Sequence, residues 1–269
     1  MSVVIFEPDY NAKHCKVLRA LADGIPGAKV KTLGNYTKCD IAVIFGWHKY
    51  AYDKTRPKAE IISRHKGRSL IVVESGFLKR GEYYQVGWGG FANNADFCNQ
   101  NVSSDRWDAM GVTVKDWQKR DGPVVVCGQL ERDTQVQDTD HHQWCRDTFK
   151  ALIKMGEEVI FCPHPREDRP SVYGIDKQYR AKERLPELLK IAKCVVTYNS
   201  TSCVDAILAG VPAITMDKGS IAWPISQHAL IDVKQLAYPD RSQWLAGLGY
   251  TQWTLDEMRA GLPWRHLNA

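Results

Sequence analysis

Three short stretches of this 269-residue chain carry residue types that bind anions or move protons. The densest is Asn199-Ser200-Thr201-Ser202, which joins an apolar run, Cys194 to Tyr198, to a helical stripe of Val204, Ile207 and Leu208. A helix start offers backbone N–H groups and the positive end of its dipole, both of which favour an anion such as a phosphate. The hydroxyls of Ser200, Thr201 and Ser202 add donors without adding charge, and they exceed what one cap requires. A plain helix cap is the competing explanation, because Ser202-x-x-Asp205 fits a capping box. Asp205 is accordingly read either as that cap or as a partner for a ribose hydroxyl.

The second stretch, Cys162-Pro163-His164-Pro165, follows an expected strand over 158–162. His164 then falls at the carboxyl edge of a sheet, where open α/β sheets bind ligands. Prolines on both sides stiffen its backbone, and an imidazole there can donate to a phosphate or base oxygen; the alternative is a structural histidine. Arg166 and Arg169 are either phosphate partners or plain surface charge. Gln129, Arg132 and Asp133 leave another strand end at the same edge, where they close over a donor or form a simple turn.

The third is Glu74, the last residue of the apolar run 70–74, followed by Ser75-Gly76, which lets the chain turn sharply. A carboxylate on a rigid strand, partly desolvated, suits a general base that deprotonates an acceptor hydroxyl. A helix cap, or an ion pair with Lys79 or Arg80, is the alternative. Between Gly46 and Arg68, seven basic residues (Lys49, Lys54, Arg56, Lys58, Arg64, Lys66, Arg68) stand against Asp53 and Glu60, interleaved with Trp47, Tyr50 and Tyr52. This is the aromatic and basic texture of nucleic-acid surfaces; a solvated helix face with a core tryptophan is the bland reading. Trp47, Lys49, Tyr50, Tyr52, Lys79, Arg80 and Trp88 make up the candidate acceptor-binding set. His141-His142 with Cys145 is the one grouping of metal-ligand types, but no second pair completes a tetrahedral set. A surface loop is expected there, and no metal.

The elements that must position these groups read as two β-α-β alternations. Strands are expected at 2–6, 28–32, 41–45 and 70–74, with helices after His14 and around 58–65. The continuous apolar run of the last strand marks a parallel sheet covered on both faces. Residues 76–121 show little periodicity and end in the linker 115–122. The second alternation has strands at 123–127, 158–162, 194–198 and 211–216, with helices near 144–155, 186–192 and 202–209. The expected fold class is α/β, two Rossmann-like lobes with a cleft between them: 1–121, 122–239, and a helical tail over 240–269 fastened by Trp244, Trp253 and Trp264. An apolar fraction of 44% and a charged fraction of 25% are those of ordinary globular chains. A net charge of +5 permits a polyanionic partner without requiring one. No run of 18 apolar residues and no basic leader is present, so a cytoplasmic protein with reduced cysteines and no membrane insertion is expected.

In this order the motifs resemble two-lobed GT-B glycosyltransferases that include the bacterial capsule Kdo transferases and polysialyltransferases. Glu74 to Arg80 resembles their acidic Glu-Asp-Gly motif, with Ser75 departing at its second acidic position. Gln129 to Asp133 is similar to the stretch opening their donor lobe, His164-Pro165 to their His-Pro motif, Asn199 to Ser202 to their phosphate turn, and Asp205 to Pro212 to their helix exit. The resemblance implies an inverting, metal-independent transfer with no cofactor beyond the nucleotide-sugar co-substrate. Residues 1–121 would bind the acceptor and 122–239 the donor, with His164 and Ser200 to Ser202 on its nucleotide and phosphate and Glu74 as base. The span 74–97, with Gln252-Trp253-Thr254, also resembles glycosyltransferase-like proteins of tailed bacteriophages. That likeness and the basic strip make a 5-hydroxymethyl pyrimidine in double-stranded phage DNA, in the host cytoplasm, the favoured acceptor. A capsule or lipid-linked glycan acceptor, a nucleotide-sugar epimerase and a non-catalytic nucleic-acid-binding module are the rivals.

Overall fold

A computed structural model describes residues 1–9, 11–47 and 57–269. The chain opens with β1 (Val3–Glu7), α1 (Ala12–Asp23), β2 (Lys29–Thr32), β3 (Ile41–Phe45), α2 (Pro57–Arg64), β4 (Leu70–Ser75), β5 (Tyr84–Trp88) and α3 (Asp105–Ala109). There follow β6 (Val124–Cys127), α4 (His141–Lys154), β7 (Val159–Cys162), α5 (Leu185–Leu188), β8 (Cys194–Thr197), α6 (Ser202–Leu208) and β9 (Ala213–Thr215). The last elements are α7 (Ser242–Gly249), β10 (Gln252–Trp253), α8 (Leu255–Arg259) and α9 (Leu262–Leu267).

Two compact units result: Met1–Gly111 together with Ser242–Ala269, and Val112–Arg241. The first contains a six-stranded sheet in the order β10-β5-β4-β3-β1-β2. Its β1, β2, β3 and β4 run parallel, β5 is antiparallel to β4 at one edge, and β10 pairs antiparallel with β5 beyond it. Alternation along β1 sends Val3 and Ile5 to one core and Val4 and Phe6 to the other, so both faces are covered. The caps of α1 set its length: the Asn11 side chain accepts from the His14 N–H, and Gly24 takes the last turn's carbonyls. The second unit holds the parallel sheet β7-β6-β8-β9, again with a core on each face. The α/β class of two Rossmann-like units is thus borne out.

Unit boundaries differ from those expected. Residues 240–269 were expected as a separate tail, but 242–269 belong to the first unit. Gln252 and Trp253 pair with Gln85 and Tyr84, and Met258 and Leu267 are buried in the same core as Ile5 and Leu18. Burying a side chain of methionine size contributes about 1.5–3 kcal/mol toward holding these short helices in place. Residues 112–121, expected in the first lobe, belong to the second: the N–H groups of Lys115 and Gln118 donate to the carbonyls of Leu208 and Gly210. Among the described residues no helix is long and apolar enough to cross a membrane.

Candidate functional site

In the second unit the strands are all parallel, so the residues that leave β6, β7, β8 and β9 gather at one edge of the sheet. Gln129 follows β6, His164 β7, Asn199 β8 and Asp217 β9. Three of these join in one network. The Gln129 Nε2 donates to Asn199 Oδ1 at 2.9 Å, and the Asn199 N–H returns a bond to Gln129 Oε1 at 3.3 Å. Asn199 Nδ2 then donates to the Gln135 carbonyl and to Asp217 Oδ1, each at 2.8 Å. Gln129 and Asn199 are both buried. Their side-chain amides therefore shape the turn from within, where the sequence reading placed them on the donor.

Two residues not singled out for this site complete its support. Tyr173, fully buried, donates its hydroxyl to the Gln129 carbonyl at 2.7 Å, and His141 Nε2 accepts the Gln129 N–H at 2.8 Å. His141 is not in a surface loop as expected. It opens α4 behind the cap Asp140, is inaccessible to solvent, and stacks on Trp144 at 5.4 Å. Burial, with a smaller contribution from His142, pushes its pKa down to about 4. The neutral ring then carries its proton on Nδ1.

The hydroxyl turn divides by role. Ser200 Oγ accepts the Ser202 N–H at 3.2 Å, and the Ser200 N–H donates to Thr197 Oγ1 at 3.3 Å. Thr201, half-buried, is the N-cap of α6 and makes no side-chain capping bond, so the capping box on Ser202 does not form. Ser202 is buried, its Oγ beside the Cys127 thiol but outside hydrogen-bond geometry with any described atom. Asp205 is exposed one turn into the helix. His164 is half-buried, and its Nδ1 accepts the Arg166 N–H at 3.1 Å, so the neutral ring holds its proton on Nε2. It sits one strand beyond Gln129 and two beyond Asn199, roughly 10 Å across the sheet at the usual strand spacing. Arg132 and Arg166 are exposed on the loops after β6 and β7, and Asp133 is half-buried beside Arg132 in sequence.

In the first unit, Glu74 occupies the matching edge at the end of β4. Its Oε1 accepts the Ser75 N–H at 2.8 Å. Behind it the chain turns through Gly76, whose missing side chain leaves room for the Tyr83 carbonyl: a Cβ would meet it at 2.6 Å. Gln252 Oε1 clamps the next residues by accepting the Phe77 and Leu78 N–H groups, and Gln85 Nε2 holds the Ser75 carbonyl. Lys58, expected as one cation of a basic strip, instead lies beside Glu74. It is half-buried, donates to the Phe45 carbonyl at 2.7 Å, and burial lowers its pKa while the Glu74 charge opposes that. His14, also unmarked by the sequence reading, stacks flat on Phe45 at 3.8 Å; burial and then the charges of Lys58 and Lys13 lower its pKa.

The acceptor-binding set fares unevenly. Trp88 is buried, with its Nε1 donating to the Leu267 carbonyl at 3.1 Å, so it cannot stack on a base. Trp47 packs against the core that contains Ile44 and Ile61. Lys79 and Arg80 are exposed after β4. Lys49, Tyr50 and Tyr52 lie outside the described residues. Arg64 pairs with Glu60 and Arg68 with Asp96, which halves the local charge of the strip where it is described.

Two solved structures share this fold over nearly the whole chain. KpsC of Thermosulfurimonas dismutans, as its β-Kdo 2,7-transferase, is 11% identical, with both chains covered in full and a TM-score of 0.58. The β-Kdo 2,4-transferase of KpsC from the same organism is 14% identical, covering 94% of this chain and 92% of its own, with a TM-score of 0.62. No protein-family model matches the sequence, and no curated protein matches it. The fold is that of these GT-B glycosyltransferases.

Proposed function

We propose that this chain is a glycosyltransferase that moves a sugar from a nucleotide-sugar donor to a hydroxyl of a carbohydrate acceptor. The observation that carries the reading is the buried Gln129–Asn199–Asp217 network, which holds the turn after β8 rigid at the ligand edge of an all-parallel sheet. A network of this kind, with each amide satisfied, keeps Ser200 and Thr201 in place for a leaving phosphate. The Nε2–H of His164 is a further donor for that charge, and the exposed Arg132, Arg166 and Asp205 are at hand for the nucleotide. Glu74 takes the acceptor proton, the acceptor oxygen attacks the anomeric carbon from the side opposite the phosphate, and the configuration there inverts. The likeness in fold to Kdo transferases supports transfer from a nucleotide sugar; inversion and the base are this proposal's own, and no step in it calls on a metal ion.

A carbohydrate acceptor is preferred to DNA because, among the described residues, several features that favoured DNA are engaged elsewhere. Lys58 is occupied at Glu74, Arg64 and Arg68 are ion-paired, and Trp88 is buried. The test is incubation with a panel of nucleotide sugars, CMP-Kdo included, against Kdo-terminated oligosaccharides and hydroxymethylated DNA, followed by mass analysis of both acceptors. A sugar mass added to the oligosaccharide supports the proposal. Modification of the DNA alone would return the acceptor to a hydroxymethyl pyrimidine, and no transfer from any donor would refute the activity.

A further inference from the structure

The first unit holds a pocket of about 440 Å³, walled by α3 on one side and by residues between Tyr250 and His266 on the other, with Tyr83 also in its lining. That volume is within the range of small-molecule sites, about 300–1,000 Å³. Arg106 fixes its frame. Its Nε donates to the Gly249 carbonyl and its Nη2 to the Gln252 carbonyl, each at 2.7 Å. The same guanidinium pairs with Glu257 and lies 3.7 Å over the Trp253 ring. Arg106 and Glu257 are therefore spent on each other and on backbone, and the pocket is preformed. Trp253 is buried in the lining, and its Nε1–H has no hydrogen-bond partner among the described atoms.

The remaining groups of the lining are half-buried rings and exposed charges. Tyr250 donates its hydroxyl to Asp105 at 2.9 Å, and its ring lies 4.7 Å from that of His266. Asp105 and Arg265 are exposed; Arg265 Nη1 donates to the Ala260 carbonyl at 2.9 Å, which leaves further N–H donors of its fork to spare. In formal charge Arg106 and Arg265 cancel Asp105 and Glu257. A chain of phosphates needs a surplus of cations, which is missing here. A sugar ring suits such a lining better, since its C–H face packs on aromatic rings and its hydroxyls both accept from Arg265 and donate to Asp105. The pocket is also joined to the turn that follows Glu74: the Tyr83 carbonyl accepts the Gly76 N–H at 3.0 Å, and Lys79 Nζ donates to the carbonyl of Met110, another lining residue, at 3.5 Å.

We propose that this pocket is a glycan subsite, which holds a pyranose unit of the acceptor chain back from the reacting end, against the Tyr83 and Tyr250 rings and between Asp105 and Arg265. The choice of occupant rests on the carbohydrate acceptor proposed above. Longer acceptors would gain affinity there without any change at Glu74.

The experiment is calorimetric binding, with no donor present, of Kdo-terminated, glucose and galactose trisaccharides, each beside its methyl monosaccharide. The proteins are the wild type, Arg265→Ala, Tyr83→Ala and Tyr83→Phe, with near-ultraviolet circular dichroism to show that each is folded. At least one trisaccharide should bind the wild type about tenfold or more tighter than its monosaccharide, the scale of one or two well-placed contacts. Arg265→Ala and Tyr83→Ala should erase that gain, and Tyr83→Phe, which keeps the ring, should retain most of it. A merely structural role would lower both lengths alike and spare no ring-conserving variant. No gain with length for any saccharide, or a gain that survives Arg265→Ala and Tyr83→Ala, would overturn the inference. So would a loss in these variants of affinity for a single-stranded oligonucleotide with no saccharide gain, which would give the pocket to a base. Transfer to an oligosaccharide without a length gain sinks the subsite alone. A length gain that the variants erase, in a protein that turns over no nucleotide sugar, keeps the subsite and refutes the transfer.

Discussion

At the carboxyl edge of β6, β8 and β9 the polar groups are mostly neutral, buried and bonded to one another. At the carboxyl edge of β3 and β4 the described groups are charged and half-buried, with Lys58 and Glu74 both close to Gly46. The first arrangement suits a scaffold, since satisfied amides in low dielectric are stiff and lose heavily when one partner is removed. The second suits chemistry, since half-buried charges interact more strongly with a third group than charges in open water. One sequence thus builds a mixed six-stranded sheet and an all-parallel four-stranded one and ends their parallel strands in different chemical surroundings.

Breaking the scaffold should give the largest effect on stability. Asn199→Ala would leave the Gln129 amide, the Gln135 carbonyl and the Asp217 carboxylate short of a partner, at about 1–3 kcal/mol for each group left unsatisfied. Chemical unfolding of the full chain should show a loss of at least about 3 kcal/mol, and a loss below about 1 kcal/mol would show that the network does not carry the turn. Acid probes the same edge through His141. Its folded pKa, about 4, lies below the 6.5 of the unfolded chain. The stabilisation is therefore complete above pH 6.5 and is lost as pH falls from there toward 4, to a total on the order of 3 kcal/mol. His141→Gln should lose less over that window than the wild type; equal losses would move the acid sensitivity to other groups.

Smaller effects sharpen the contrast. His164→Ala removes one exposed-edge donor and should weaken nucleotide-sugar binding roughly tenfold, equal to about 1.4 kcal/mol, with unfolding unchanged. Unaltered calorimetric affinity would take His164 off the donor. Trp88→Phe deletes a single buried bond to the Leu267 carbonyl and should cost about 1 kcal/mol in unfolding, with no change in any acceptor's KM; a raised KM would restore Trp88 as a contact.

How much of this could be read in advance follows from the range of the interactions. The central parallel strands of both sheets were legible because burial on two faces writes continuous apolar runs, such as Leu70 to Val73 and Val124 to Cys127. Tyr84 to Trp88 was not, because its Gly87 interrupts the pattern and is needed for the close approach of the Phe97 ring. Gln252-Trp253 is too short to signal a strand, and its partner lies far back in the chain. Glu74, His164 and the Asn199 turn stood out because each stands at or just beyond the end of a strand. Lys58 and His141 did not, since their surroundings come from residues distant in sequence: Glu74 for one, the Gln129 N–H for the other. Lys58 looked like one charge in a basic strip, and only the fold takes it out of that strip.

The most direct test of the account is Glu74→Gln, which keeps the shape of the side chain and removes its basicity. Transfer to the oligosaccharide should fall by about 10²–10⁴-fold, the usual contribution of a general base, while calorimetric nucleotide-sugar binding stays at the wild-type value. Transfer at the wild-type rate would contradict the account, because no proton acceptor would then be needed at the end of β4.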